Sequence, residues 1–270
     1  MTDPHIVRYY QEFDEHARLR GGHGELEFVR SMDLLGRHLP PAPARVLDIG
    51  GATGPYSEAL AGRGYEMHLV DPMENHVEAA RTRPGIASAS VGDARELQWP
   101  DAFADAVLLM GPLYHLVEAA GRLRALREAR RVLKPGGMIA AAAISRFASL
   151  LDGLHRGVVD DPRFQPILLR DLECGEHRNP GGAVEFFTTA YLHLPDRLAC
   201  EMAEAGFAQP EVFAVEGPGW LTPDLEQRWA DPGKREFLLD CLRRVEREPA
   251  LMGVSAHLLV FAKAPDLAPR

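Results

Sequence analysis

Cysteine is scarce in this 270-residue chain: Cys174, Cys200 and Cys241 stand far apart and include no CxxC pair. Such spacing supports neither a disulfide framework nor a metal knuckle, and a reduced, cytoplasmic setting is the default expectation. The eleven histidines include no HExxH or comparable ligand spacing, so no metal is expected. Also missing is an apolar run long enough to span a bilayer, and the opening MTDPHIVRYYQEF has no signal-peptide core. No membrane partner is therefore expected. Basic residues are outnumbered 30 to 39, for a net charge of −9, and a nucleic-acid partner is not expected without a basic face. Repeats and low-complexity tracts are absent. What remains is ordinary globular usage, 46% hydrophobic and 26% charged, with length enough for one large domain or a domain with an added cap.

The chain is organised around Val46–Ser57, VLDIGGATGPYS. Apolar residues flank Asp48, a glycine-rich turn follows at 50–54, and Pro55 opens a helix, where its missing N–H costs nothing. Strand, glycine turn and helix make the opening of a nucleotide-binding α/β unit, because small residues admit a ligand to the backbone and the helix start offers free N–H donors.

Before this stretch, helices are expected over 4–17, with Tyr9, Tyr10 and Phe13 along one side, and over 24–39; prolines 40, 41 and 43 then stop the second. After it come strands at 45–50, 66–71, 86–91, 103–110 and 137–144, alternating with helices near 55–62, 74–82 and 116–133. Near-continuous apolar strands between amphipathic helices imply a parallel sheet covered on both faces. Residues 145–194 break the rhythm with prolines and glycines yet carry Phe147, Phe164, Phe186, Phe187 and Tyr191, which reads as a lid or binding insertion rather than a disordered loop. A helix near 196–205 and strands near 211–216 and 256–263 complete the pattern. The organisation expected is a helical cap at 1–43, a core of 44–144 with 195–270, and an insertion at 145–194. The insertion and the Trp220–Glu248 excursion are expected to build a substrate pocket.

In an open parallel sheet, ligands bind beyond the carboxyl ends of the strands. Here those ends carry the 50–54 turn, Asp71-Pro72, Gly92-Asp93-Ala94 and Met110-Gly111-Pro112-Leu113-Tyr114-His115. Asp71 is set to accept from ribose hydroxyls, and Asp93 to accept from an adenine amino group.

In this order, VLDIGGATG, LVDP, VGDA, LLMGPLYHL and RRVLKPGG resemble the class I S-adenosylmethionine-dependent methyltransferases, small-molecule branch. The resemblance is close over 44–144 and extends to 196–263 by its helix–strand–strand ending. One position departs: Ala52 stands where the family has its middle glycine. The resemblance implies an α/β, Rossmann-like doubly wound sheet, mostly parallel with an antiparallel last strand, with N-terminal helices and a lid insertion added. It implies S-adenosylmethionine as cofactor and S-adenosylhomocysteine as product. Gly50, Gly51 and Gly54 would face the methionine part, while Asp48 holds the turn or meets the cofactor's amino group. Asp71 would take the ribose, Pro72 pack near the adenine, Asp93 and Ala94 read the adenine, and Met110 supply a carbonyl. Tyr10 and Arg18 are candidates for the cofactor's carboxylate or a lid.

For an oxygen or nitrogen acceptor a histidine near neutrality suits the base, and His115 is the candidate, with His177 and His193 as rivals. Tyr114, His115, Arg146, Phe147 and His177 are the substrate-binding candidates, and Arg178 and Asn179 suit a polar or anionic acceptor. The cysteine triplet of radical methyl transfer is missing. Two other classes stay open: a nicotinamide-dependent oxidoreductase, whose GxGxxG spacing differs from this turn, and a non-catalytic binding protein. The acceptor and the oligomeric state are not set by the sequence.

Overall fold

A computed structural model describes residues 3–12 and 15–266. In chain order it contains α1 (Pro4–Glu12), α2 (Glu15–Arg18), α3 (Gly22–His38), β1 (Arg45–Ile49), α4 (Pro55–Ala61), β2 (Glu66–Asp71), α5 (Glu74–Arg81), β3 (Ile86–Val91) and β4 (Ala104–Leu109). There follow α6 (Pro112–His115), α7 (Ala119–Val132), β5 (Leu133–Ser145), α8 (Ala148–Arg156), α9 (Gln165–Cys174), β6 (Glu176–His177), β7 (Ala190–His193), α10 (Pro195–Glu204) and β8 (Ala208–Ala214). The last elements are α11 (Leu225–Ala230), α12 (Pro232–Val245), α13 (Pro249–Met252) and β9 (His257–Lys263).

The chain forms two compact units. The first takes the described residues up to Leu34, Ala143–Pro195 and Val212–Leu259; the second takes Leu35–Ala142, Asp196–Glu211 and the described residues from Val260 onward. All five crossings between units fall inside α3, β5, α10, β8 and β9.

In the second unit the strand order is β3-β2-β1-β4-β5, every neighbouring pair parallel. Order reverses at β1, which lies between β2 and β4, so this is the switch point at which an open sheet splays its loops apart. Val46, Leu47, Leu69, Val107, Leu108 and Ile139 are fully buried, each such side chain contributing about 1.5–3 kcal/mol. Gly137 pairs with Ala264 and Ser145 with Ala256, so β9 runs antiparallel to β5, as expected.

In the first unit, β7 pairs with the end of β5 in parallel and β6 with β7 antiparallel. The apolar clusters among its described residues include two. One holds Leu26, Trp220, Leu225, Trp229, Leu239 and Leu242; the other holds Phe164, Ile167, Leu168 and Phe186.

Several boundaries differ from the sequence expectation. The helix over 4–17 divides into α1 and α2, and Phe13 lies outside the described residues. The helix expected over 116–133 begins at Ala119, because Leu116, at φ −95° and ψ 85°, breaks away from the single turn of α6. The largest difference is in 145–194, which folds into α8, α9, β6 and β7. Of the residues read there as breakers, Pro166 opens a helix, and two glycines not singled out from the sequence close the helices. Pro166 sits in the first turn of α9, while Gly157 and Gly175 cap α8 and α9 in the left-handed conformation.

Candidate functional site

The glycine turn is built by contacts that only small residues permit. Gly50 has φ +69°, its N–H donates to the Val70 carbonyl at 2.6 Å, and a side chain there would strike Pro112. A methyl group on Gly51 would lie 2.7 Å from both Asp48 Oδ2 and Leu69 Cδ1. Ala52, the departure from the glycine pattern, takes a left-handed φ of +48°, a conformation costing an L-residue about 1–2 kcal/mol. Its N–H donates to Asp71 Oδ2 at 2.9 Å, which offsets the cost with a charge-assisted bond.

Asp71 is thus more than a strand-end acid. Only 4% exposed, it accepts from Ala52 N–H on Oδ2 and, on Oδ1, from Met73 N–H at 2.9 Å, with His76 Nδ1 at 3.1 Å. Oδ1 is fully engaged, and Oδ2 keeps one acceptor position. Pro72 beside it is exposed.

Asp48 lies under the turn with no exposure. Its Oδ2 accepts from Ser57 Oγ at 2.7 Å, and its Oδ1 has no partner. Burial pushes the Asp48 carboxyl up to about 6; the Ser57 hydroxyl opposes that rise, and the neighbouring Asp71 charge adds to it.

At the end of β3, Gly92 N–H donates to the Asp71 carbonyl at 3.1 Å, joining this loop to the end of β2. The half-buried Asp93 is gripped by Arg95: Nε to Oδ1 at 2.8 Å, Nη2 to Oδ2 at 2.5 Å, and the backbone N–H to Oδ1 at 2.9 Å. These side-chain bonds hold the Asp93 carboxyl below the usual range, against its partial burial. Ala94 is buried beside it. At the end of β4, Met110 is half-buried and Gly111 precedes α6, which carries Tyr114 and His115 with ring centroids 4.7 Å apart. The second unit therefore brings together Asp48, Gly50, Gly51, Gly54, Asp71 and Asp93 with Met110, Tyr114 and His115 at the ends of four parallel strands.

The remaining candidates belong to the first unit. Tyr10 is half-buried, its ring edge-on to Tyr9 at 5.2 Å. Arg18 pairs with Glu27 at 2.5 Å. Phe147 is 38% exposed at the start of α8, where a side chain on Gly253 would meet its ring. His177 is buried with both nitrogens engaged, Nδ1 to Asp171 at 2.8 Å and Nε2 to the Phe186 carbonyl at 2.7 Å. Arg146 is 7% exposed and donates from Nε to the Leu192 carbonyl at 2.9 Å.

Sequence reasoning missed Ser57, His76 and Arg95, which act on the candidate acids from two to nine residues away. It also missed the assembly of Glu27, Glu216 and His257, whose ligand atoms lie within 4.8 Å of one another. Nδ1 of His257 is 2.6 Å from Glu216 Oε1 and 3.6 Å from Glu27 Oε2. Burial opposes charge on His257, but Glu27 and Glu216 outweigh it and push the imidazole up to about 9. Arg18 and His257 likewise hold Glu27 low against its burial. Charges in this group are already balanced by hydrogen-bonded neighbours, and no sequence spacing signals a cluster drawn from three distant segments.

Comparison with known proteins agrees with this architecture. A methyltransferase-domain family model matches residues 46–137. An uncharacterised methyltransferase of Mycobacterium tuberculosis is 38% identical over 101 residues, 37% of this chain; the chain spans about 40% of that protein's length. A ubiquinone/menaquinone biosynthesis C-methyltransferase of a Caulobacter species is 30% identical over 219 residues, covering 73% of this chain and 80% of that one. Among solved structures, a S-adenosylmethionine-dependent methyltransferase of Thermotoga maritima, described as a possible histamine N-methyltransferase, superposes with a TM-score of 0.59 at 18% identity, covering 96% of this chain and 98% of its own. Among the described residues, no helix is long and apolar enough to cross a membrane.

Proposed function

Given that this chain belongs to the class I S-adenosylmethionine-dependent methyltransferases, we propose that it methylates a small-molecule acceptor at an oxygen or nitrogen nucleophile. Family membership sets the nicotinamide alternative aside. When bound, S-adenosylmethionine supplies a sulfonium methyl, electrophilic enough that an acceptor's electron pair displaces the thioether.

The residues present fit that cofactor. Asp48 Oδ1 is a buried acceptor without a donor directly under the glycine turn, the arrangement an ammonium group would satisfy. Asp71 keeps one acceptor position on Oδ2 for a ribose hydroxyl, and its other bonds fix the turn at Ala52. Asp93, kept ionised and oriented by Arg95, accepts from the adenine amino group, with the Ala94 N–H as the matching donor. Gly50, Gly51 and Gly54 keep the backbone bare beside the methionine part, Pro72 packs near the adenine, and the Met110 carbonyl contributes at the end of β4. His115, at the end of α6, takes the acceptor's proton, with Tyr114 beside it. Tyr10, Arg18, Arg146 and Phe147 in the first unit serve lid or acceptor contacts. His177, with both nitrogens engaged, serves by holding its loop.

A carbon nucleophile is the second reading, favoured by the similarity to the Caulobacter C-methyltransferase. The buried Asp71 carboxylate, tying the glycine turn to the start of α5 with an acceptor position to spare, carries the proposal. Calorimetry with S-adenosylhomocysteine is expected to give binding that Asp71→Asn weakens by about 10- to 100-fold, as for a charge-assisted bond of about 1.5–3 kcal/mol. NADH is expected not to bind. Incubating labelled S-adenosylmethionine with phenols, carboxylates and amines should then label one class. Unchanged affinity in Asp71→Asn would remove the proposed site, and labelling of none would favour the non-catalytic alternative.

A further inference from the structure

Two features of the first unit are unexplained by its packing. The first is Phe187, whose backbone has φ 65° and ψ −172°, a region occupied almost only by glycine and costing other residues about 1–3 kcal/mol. Gly181 and Gly182 stand a few residues away, so the segment does not lack glycine. The strain is held in place from both sides: Asn179 Nδ2 donates to the carbonyls of Phe187 and Ala183 at 2.7 Å, and the buried Asp171–His177 pair fixes the Phe186 carbonyl. The strained residue presents a half-buried ring lying 5.3 Å from Tyr9 at 81°.

The second is Arg146. The residue is 7% exposed, yet among the described residues no carboxylate pairs with its guanidinium. Nε is spent on the Leu192 carbonyl, no acceptor among the described residues meets its other side-chain N–H groups, and the charge sits 5.9 Å from the Tyr191 ring. Gly175 makes the space: a side chain there would come within 2.5 Å of Nη2. The two Nη atoms are not among the fully buried unpartnered atoms of the described residues, so they are open to a ligand, and four unspent donors in a planar fork match a carboxylate. Both features belong to the β6–β7 hairpin and its flanks. Gly175 immediately precedes β6, His177 lies opposite Ala190, and the Phe187 and His177 rings are 6.0 Å apart.

We infer that the first unit binds the methyl acceptor and that this acceptor is an aromatic ring bearing a carboxylate, the anion held by Arg146 and the ring by Phe187 with Tyr9. The inference rests on the methyltransferase reading above and narrows its acceptor. A ring bearing an alkylammonium group is disfavoured, since the fixed charge beside the hairpin repels a second cation. Ring-to-ring contact adds about 0.5–1.5 kcal/mol beyond the area buried, which gives a strained phenylalanine a function that glycine cannot supply.

Three probes share one nucleophile and differ in charge: 3,4-dihydroxybenzoate, catechol and dopamine. Their binding to the full chain loaded with S-adenosylhomocysteine is measured by calorimetry, and their methylation by transfer from labelled S-adenosylmethionine. The benzoate is expected to bind at least tenfold tighter than catechol and to be methylated, with dopamine the weakest. Arg146→Met should erase the preference for the benzoate over catechol, and Arg146→Lys should keep part of it. Phe187→Gly should raise KM at least tenfold with an unchanged or higher Tm, and Phe187→Tyr should behave as wild type. Catechol or dopamine binding as well as the benzoate, an undiminished preference in Arg146→Met, or a Phe187→Gly variant that melts earlier with KM intact would each overturn the inference. So would binding of the benzoate without transfer, or no binding of any probe by protein that holds S-adenosylhomocysteine. Failure to bind S-adenosylhomocysteine would instead strike at the methyltransferase reading itself.

Discussion

Replacing Asp48 with asparagine tests the electrostatics of the glycine turn. The side chain keeps its shape, and an amide oxygen can still accept from Ser57. What disappears is a charge held at zero exposure with one oxygen unpartnered. A carboxyl moved from 3.8 up to about 6 carries about 3 kcal/mol of cost in its ionised form. The sign follows from linkage. Between the two values the folded state holds a proton that the unfolded state has lost, so wild-type stability falls as pH rises from 3.8 through 6 and the cost is complete above that. Any fixed cost of the buried amide is the same at every pH and cancels in a comparison between pH values. Wild type at pH 4 retains about 0.5 kcal/mol of the penalty, so the stability of Asp48→Asn relative to wild type should rise by about 2.5 kcal/mol from pH 4 to pH 7.5. Urea unfolding at a series of pH values measures this directly. Affinity for S-adenosylhomocysteine should move the other way, with the variant binding at least tenfold weaker at pH 7.5 if Asp48 meets the ammonium. A stability difference independent of pH would refute the assignment of an uncompensated charge beneath the turn.

His257 gives a prediction of opposite sign. Its folded value of about 9 lies above the ordinary 6.5, so the stabilisation, about 3 kcal/mol, is complete below pH 6.5 and is lost as pH rises through 9. Unfolding measured from pH 6 to 10 should show that slope in wild type and a flatter one in His257→Gln; equal slopes would refute it. His115→Asn should lower kcat by about 10²–10⁴. Turnover unaffected by this change would exclude His115 as the base and leave the acceptor to lose its proton elsewhere.

The strand–turn–helix centre was readable because its constraints are local. Asp48, Gly50 and Asp71 each follow from the apolar run before them, and the parallel order of β1 to β5 follows from alternating periodicities. The helices and strands inside 145–194 were not legible because residues such as Pro166, Gly157 and Gly175 are ambiguous in one dimension: each can start or finish a helix as well as prevent one. β6 and β7 are only two and four residues long, too short for a period to declare itself. The side chains that tune the candidate site were hidden for another reason. Arg95 and His76 matter through geometry with an acid two and five residues away, and the Glu27–Glu216–His257 group needs segments separated by nearly two hundred residues.

Each crossing between the two units lies within a helix or strand rather than a loop. Cutting the gene at any of these points would sever a hydrogen-bonded element on both sides of the cut. Neither unit can therefore be borrowed as a contiguous cassette, and a chimera that exchanges acceptor preference between relatives must trade surface residues in place rather than swap a segment.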